Sequence, residues 1–449
     1  MANKKYWQSF SEMNKSDLPA AGEGDEFPEE LLDEGGTGVE NAGATRRDFL
    51  KYLGFSTAAA ALAASCETPI KKAIPFVNRP QDIIPGVADF YASTYVHGGE
   101  SFPILVKVRD GRPIKIEGNN LSTVTGGSTS ARVQASVLDL YDTARLRYPI
   151  ANGNATGIDE IDKSIVAALG SSSGVVLLTS TVTSPTTKQI ITEFLAKYPG
   201  SKHISYDSVS YSGMLLANEA GYGKRAIPSY RFDQAKVVVS IGADFLGAWL
   251  NPLEYQRSFA QQRKVKQDNP SMGKHYQFES MLSVTGANAD ERFTHRPSET
   301  GAVALALLNA LTGQPVSGLS DKLKKGIEKA AADLKNNNGS SLVVCGSNSI
   351  HIQSIVNAIN EAIGANGKTI DWSAPLLTKQ GIESEFNTLI SDMEGGRVSA
   401  LIVYDANPAY NYYDAARFSN AIKKVKLTIS LSDKKDETTE QCKYIIPSH

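Results

Sequence analysis

From residue 157 onward the chain alternates short, continuous apolar runs with longer segments whose apolar residues recur every three or four positions. Ile158, Ile161, Ile165, Val166 and Leu169 share the spacing of one helix face. Val175-Val176-Leu177-Leu178 is a short apolar run and reads as a strand. Pro185 opens a second helix that carries Ile190, Ile191, Phe194 and Leu195 on one face. The theme repeats in Lys236 to Ile241 and again in Leu342 to Gly346, which precedes a helix bearing Ile352, Ile355, Val356, Ile359 and Ile363. Leu401 to Tyr404 and Leu427 to Ser430 complete the set. Strands apolar on both faces, alternating with amphipathic helices, predict parallel sheets covered on both sides. The fold class expected for 151–449 is therefore α/β, arranged as two interleaved α/β subdomains.

The preceding stretch has a different period. Phe102 to Val108 alternates apolar and polar toward its end, and Pro113 to Gly118 alternates again. Asp110-Gly111 between them is the turn signal of a two-residue hairpin. Residues 67–150 accordingly read as a small β-rich domain with one buried face. Residues 1–44 are polar and acidic, with an acidic stretch that includes Glu23, Asp25, Glu26, Glu29, Glu30, Asp33 and Glu34, and read as a disordered leader.

Composition narrows the function classes. At 449 residues, length sets a soft expectation of about three domains. Lys plus Arg number 46 against 48 Asp plus Glu, so no global charge points to nucleic acid. No apolar run is long enough to cross a bilayer. The three cysteines, Cys66, Cys345 and Cys442, are far apart, and no Cys-x-x-Cys pair exists. This argues against a disulfide framework and against a four-thiolate iron–sulfur site within the chain. The six histidines are scattered without zinc-type pairing, so no metal ligands are assigned.

Residues 45–66 carry an address rather than a fold element. Thr45-Arg46-Arg47-Asp48-Phe49-Leu50-Lys51, followed by an Ala-rich apolar run, reads as a twin-arginine signal with Arg46, Arg47, Phe49 and Leu50 as its recognition residues. Such a signal implies export in the folded state through the twin-arginine translocase. Ala63-Ala64-Ser65 before Cys66 resembles a lipoprotein processing site, although Leu62 stands one place early. Cys66 is thus a lipidation candidate, with a merely tolerated cysteine as the alternative.

Two polar loops follow apolar strands: Gly242-Ala243-Asp244 and Asp405-Ala406-Asn407-Pro408. Loops at the carboxyl ends of parallel strands form ligand crevices, although Gly, Asp, Asn and Pro are also ordinary turn residues. Three other matches hold by letter only and read as loops. Gly367-Lys368-Thr369 lacks the earlier glycine of a phosphate-binding loop. Gly221-Tyr222-Gly223 follows no clear strand. Gly170 to Gly174 precedes a strand where a nucleophile elbow must follow one.

Several of these segments resemble molybdopterin oxidoreductases of the dimethyl sulfoxide reductase type. Asp110 to Asn119 is similar to the hairpin that opens such enzymes, and Leu140 to Pro149 to the end of their first domain. Ile241 to Asp244 and Asp405 to Pro408 are similar to two loops near the pterin-dinucleotide cofactor. Glu437-Thr438 to Pro447 resembles the stretch leading into a further cofactor-side region. Ala44 to Lys51, Ile74 to Val77, Ile84 to Val87, Gln134 to Tyr141 and Gly242 to Gly247 resemble, more narrowly, the large iron–sulfur subunit of bacterial alternative complex III, a quinol-oxidising respiratory assembly.

The resemblance implies an electron-transfer subunit on the periplasmic face of the inner membrane. Its partners would be an integral-membrane quinol-interacting subunit and multihaem cytochrome subunits. The departures matter as well. No cysteine follows Cys66 before the hairpin, and Gly126 to Arg132 holds none where a cluster ligand is expected. These departures imply a scaffold without molybdenum, with the Gly242, Ala243, Asp244, Asp405, Asn407 and Pro408 loops as vestiges of a cofactor crevice. Phe245, Trp249, Tyr410 and Tyr412 are the bulky side chains expected to fill it, or else to pack under the sheet. The pattern breaks off at His449, so iron–sulfur clusters are expected in a missing C-terminal region and no cofactor in this fragment. An active molybdopterin enzyme with unusual ligation is the alternative, and an orphan nucleotide-binding domain a third reading.

Overall fold

The computed structural model describes residues 84, 86–170, 172, 174–265, 267 and 270–447. The acidic leader, the twin-arginine segment and Cys66 lie outside the described residues. Strands β1 (Ala88–His97), β2 (Glu100–Arg109) and β3 (Arg112–Gly118) form an antiparallel sheet in that order. Two-residue turns join them, Gly98-Gly99 and Asp110-Gly111, with φ of 56°, 76°, 49° and 75° in turn. Positive φ at both turn positions matches the right-handed twist of the strands, which is why Asp-Gly and Gly-Gly stand there. Phe102, Ile104 and Ile116 on one face pack with Val133 and Leu253. Val133 belongs to the helix Ala131–Ala135, capped by the Ser130 side chain, and Leu253 to the helix Pro252–Arg263.

The α/β part holds β4 (Ile150–Ala151), β5 (Asn154–Ala155), β6 (Val175–Thr179), β7 (Lys202–Ser205), β8 (Ile227–Tyr230), β9 (Val237–Ile241), β10 (Lys274–Glu279), β11 (Glu291–Thr294), β12 (Ser341–Cys345), β13 (Ile370–Leu376), β14 (Ala400–Tyr404), β15 (Leu427–Ser430) and β16 (Tyr444–Ile445). Seven of these make one sheet in the order β5-β4-β16-β15-β14-β6-β7, parallel from β16 to β7 and antiparallel at β4 and β5. Four make a wholly parallel sheet, β11-β10-β9-β12, and β13 pairs antiparallel with β8.

Period-two alternation explains how helices cover both faces of the larger sheet. Val175, Leu177, Ala400, Ile402, Leu427 and Ile429 point to Ile161, Ile165 and Leu169 of the helix Ile158–Gly170 and to Ile191 of the helix Pro185–Ala196. Val176, Leu178, Leu401 and Val403 point the other way, to Phe386, Leu389 and Ile390 of the helix Glu383–Glu394 and to Phe418 and Ile422 of the helix Ala415–Ile422. The smaller sheet is buried under the helices Ser212–Tyr222, Thr300–Thr312, Asp321–Asn336 and Ile350–Ala362, which supply Met214, Val303, Ile327 and Val356 to one core. Full burial of each such side chain stabilises the fold by roughly 1.5–3 kcal/mol.

Chain direction sets one special place in each parallel sheet. β6 leads through the helix Pro185–Ala196 to β7 on one side, whereas β14 leads through the helix Ala415–Ile422 to β15 on the other. The order therefore reverses between β6 and β14. In the smaller sheet it reverses between β9, which leads to β10, and β12. Among the described residues, no helix is long and apolar enough to cross a membrane.

Candidate functional site

Ligands of open α/β sheets bind outside the strand carboxyl ends where the order reverses. Both expected loops stand at such ends, but in different sheets: Gly242 follows β9 and Asp405 follows β14.

The Gly242–Asp244 loop is folded onto itself. Gly242 has φ 66° and donates its N–H to the Phe278 carbonyl at 2.8 Å. The Ser240 hydroxyl donates to the Ala243 carbonyl and accepts from the Ala243 amide. Asp244 accepts from the amide and hydroxyl of Thr285 at 3.0 and 2.7 Å, which staples this loop to the one after β10. Across the reversal point, Gly346 lies against Gly242 so closely that a Cβ there would overlap the Gly242 carbonyl. Gly213, in the first turn of the helix Ser212–Tyr222, likewise lies against the Asn348 carbonyl and donates its amide to the Asn348 side chain at 2.8 Å.

At the other reversal point the carboxylate of Asp405 is the hub. It accepts from Ser180 Oγ at 2.6 Å and from the Gly98 amide at 3.1 Å, and it pairs with His97 Nδ1 at 3.3 Å. The hydrogen bond to Asp405 holds the His97 imidazole above its ordinary range, against the opposing effect of desolvation. Burial would raise the Asp405 carboxyl, but hydrogen bonds from His97 and Ser180 outweigh it and leave the carboxyl below the usual range. Asn407 accepts from the amide and hydroxyl of Thr438 and donates to Glu437 at 2.8 Å, and Pro408 opens the short helix Pro408–Asn411. The loop is thereby tied to the Glu437-Thr438 segment singled out in the sequence.

The four aromatic candidates divide. Phe245 stacks on Phe232 with ring centroids 4.4 Å apart, and Trp249 lies 5.7 Å from the ring of Tyr255; both are buried in the core of the smaller sheet. They pack under the sheet rather than beside the Asp405 loop. Tyr410 is exposed to solvent. Tyr412 is buried, donates to Asn387, and lines a cavity of about 430 Å³ between Tyr206, Asp207, Glu383, Phe386 and Tyr413.

The lining of this cavity does not match what a molybdenum–pterin dinucleotide requires. Its diphosphate calls for cations or a free cradle of amides, yet the cavity lining contains two carboxylates and neither lysine nor arginine. Its metal calls for a thiolate or similar ligand. Burial pushes the Cys345 thiol up to about 11 and the Cys442 thiol up to about 12, and they belong to separate hydrophobic cores. Among the described residues no group of three or more His, Cys, Asp or Glu could hold a metal ion.

Reasoning from sequence missed His97, Gly98, Gly99, Ser180, Thr181 and Asp207. The Gly-Gly pair between two β-prone runs is itself a hairpin signal. Ser180 and Thr181 carry no signal beyond lying just after an apolar strand, and Asp207 follows the mostly polar β7.

No protein-family model matches the sequence. The chain is 22% identical over 399 residues to the "menaquinone reductase, molybdopterin-binding-like subunit" of Nitratidesulfovibrio vulgaris strain Hildenborough, over 77% of this chain and 56% of that protein. The solved structure of acetylene hydratase from Pelobacter acetylenicus superposes with a TM-score of 0.55 at 12% identity, over 79% of this chain and 62% of that one. The chain thus spans just over half the length of the curated relative. In architecture this is a mixed α/β chain with parallel sheets, similar in fold to acetylene hydratase and in sequence to a subunit named as molybdopterin-binding-like.

Proposed function

We propose that the chain is part of the electron-transfer subunit of a membrane-associated quinol:acceptor oxidoreductase of the alternative complex III type. In this reading the portion described acts as a molybdopterin-enzyme-like scaffold that carries no cofactor of its own. The observation that carries the proposal is the likeness, over 77% of the chain, to a subunit whose name joins menaquinone reduction to a "molybdopterin-binding-like" part. The mismatch between the lining of the Tyr412 cavity and a pterin dinucleotide supports the scaffold role.

Quinol chemistry would then sit in a membrane partner, and electrons would pass through iron–sulfur clusters of the same subunit to multihaem cytochrome subunits. Export by the twin-arginine translocase, with Arg46 and Arg47 as the recognised pair and Cys66 as a lipid attachment point, would place the subunit on the periplasmic face. The test is purification of the native complex, followed by metal analysis and quinol oxidation with a soluble acceptor. Quinol-dependent reduction with iron but no molybdenum is the expected result. Stoichiometric molybdenum would overturn the scaffold reading in favour of an active molybdopterin enzyme.

A further inference from the structure

We propose that the Gly98-Gly99 turn is a built-in occupant of the ligand crevice of the seven-stranded sheet, latched there by Asp405, so that the chain itself closes this crevice to a nucleotide-like ligand. The proposal deepens the scaffold reading above, but it stands on the geometry of one place. That place is the reversal point between β6 and β14, where a ligand of this sheet would bind.

Ser180 and Asp405 are the first residues beyond β6 and β14, and the Ser180 amide donates to the Tyr404 carbonyl across the two strand ends. A bound ligand would meet these two side chains first. Here they are engaged with each other and with the turn. The Asp405 carboxylate holds the Gly98 amide and the His97 ring as well as the Ser180 hydroxyl.

The fit is steric as well as polar. Gly99 is buried, and a Cβ there would come 2.7 Å from Thr181 Cβ, in the loop after β6. Its φ of 76° and that of Gly98 also exclude most side chains. From the far side, Lys379 donates to the Gly98 carbonyl at 2.7 Å. Thr181 and the Gly381 amide are anchored on the buried Asp207 carboxylate, at 2.7 and 2.8 Å. The turn is thus held on the β6, β14 and 379–381 sides together. Asp405 itself sits at φ 50°, an uncommon conformation for a residue other than glycine. A held strain of this kind at a strand end fits a position over-determined by its surroundings.

Hydrogen–deuterium exchange of the full chain tests the latch, comparing wild type with Gly99→Val and with Asp405→Asn. Valine at 99 cannot keep both the positive φ and the distance to Thr181. Asparagine at 405 keeps the shape and tolerates the backbone, but weakens the bonds to Gly98 and His97. For both variants we expect exchange to rise about tenfold or more in three segments together, 97–101, 179–183 and 405–409. Peptides from β9 and β12 should not change. A rise confined to 97–101, or an Asp405→Asn protein that exchanges like wild type, overturns the proposal. Should Gly99→Val fail to fold, the Asp405→Asn comparison decides alone. Guanosine diphosphate is the second probe: wild type should show no protection of 179–183 or 405–409 at millimolar concentration, and clear protection there would refute an occupied crevice. Molybdenum in the native complex would sink the scaffold reading without altering these exchange patterns, so the two failures are separable.

Discussion

At the scale of single residues, the polar groups inside the sheets show what the turn-rich loops and strands are for. His275 is fully buried in β10 between the rings of Phe245 and Phe259, with one ring nitrogen 3.2 Å from Gln277 and the other unpartnered. Burial depresses its imidazole to about 4 from the ordinary 6.5. The folded state therefore binds fewer protons than the unfolded state between those values. Stability from this group is complete above pH 6.5 and is lost as pH falls toward 4, by about 3 kcal/mol in the limit. We expect His275→Gln to be less stable than wild type by about 1 kcal/mol at pH 7.5 and to close or reverse that gap at pH 4.5. Urea unfolding at both pH values measures this; parallel pH profiles for the two proteins would dispose of it. Asp244 illustrates the other kind of residue. Its type and position after an apolar run were legible as turn chemistry, and its bonds to Thr285 are turn chemistry extended to a neighbouring strand end. Asp244→Ala should lower stability by about 1–3 kcal/mol in thermal or urea unfolding. An unchanged midpoint would show that the staple between the β9 and β10 loops contributes nothing.

Elements were the most legible level, because periodicity is a local property. The strand expected at Leu427 to Ser430 is β15 residue for residue, and the helix expected around Ile158 to Leu169 runs from Ile158 to Gly170. Asp110-Gly111 turns the hairpin as its letters imply. The strand β1 went unread, since Ala88 to His97 is only partly buried and lacks a strong alternation. Packing between elements is less legible, and Gly326 shows why. It lies inside the helix Asp321–Asn336, where glycine is disfavoured by about 1 kcal/mol relative to alanine. A Cβ at that position would come 2.6 Å from the ring of Phe293, which is stacked on Phe278. The glycine thus sets how closely the helix approaches β11. We expect Gly326→Ala to destabilise by about 1–3 kcal/mol, because overpacking outweighs the gain in helix propensity. A raised melting temperature for the variant would mean that the Phe293 ring gives way at no cost.

The whole molecule is where sequence reasoning reached least far, because its site is assembled from residues remote in the chain. His97, Ser180 and Asp405 meet only after β1 to β3 dock and β6 pairs with β14, and no local pattern announces such a meeting. The same non-local build bears on how the protein would be exported. Val175 pairs with Ala400 and Val237 with Ser341, so neither parallel sheet can close until most of the chain exists. Folds dominated by such pairings form slowly and expose unpaired strand edges on the way. A chain of this topology is poorly suited to being threaded unfolded through a membrane and refolded beyond it, and the twin-arginine export proposed above would spare it that step. We therefore expect Arg46→Lys with Arg47→Lys to leave the protein in the cytoplasm, folded and as resistant to proteolysis as the exported form. The lysine ammonium cannot reproduce the planar, always-charged fork of a guanidinium pair. Cell fractionation with limited proteolysis reads both halves of the expectation. Unchanged export of the double variant removes the twin-arginine assignment, and a retained but protease-sensitive chain removes the link between folding and export.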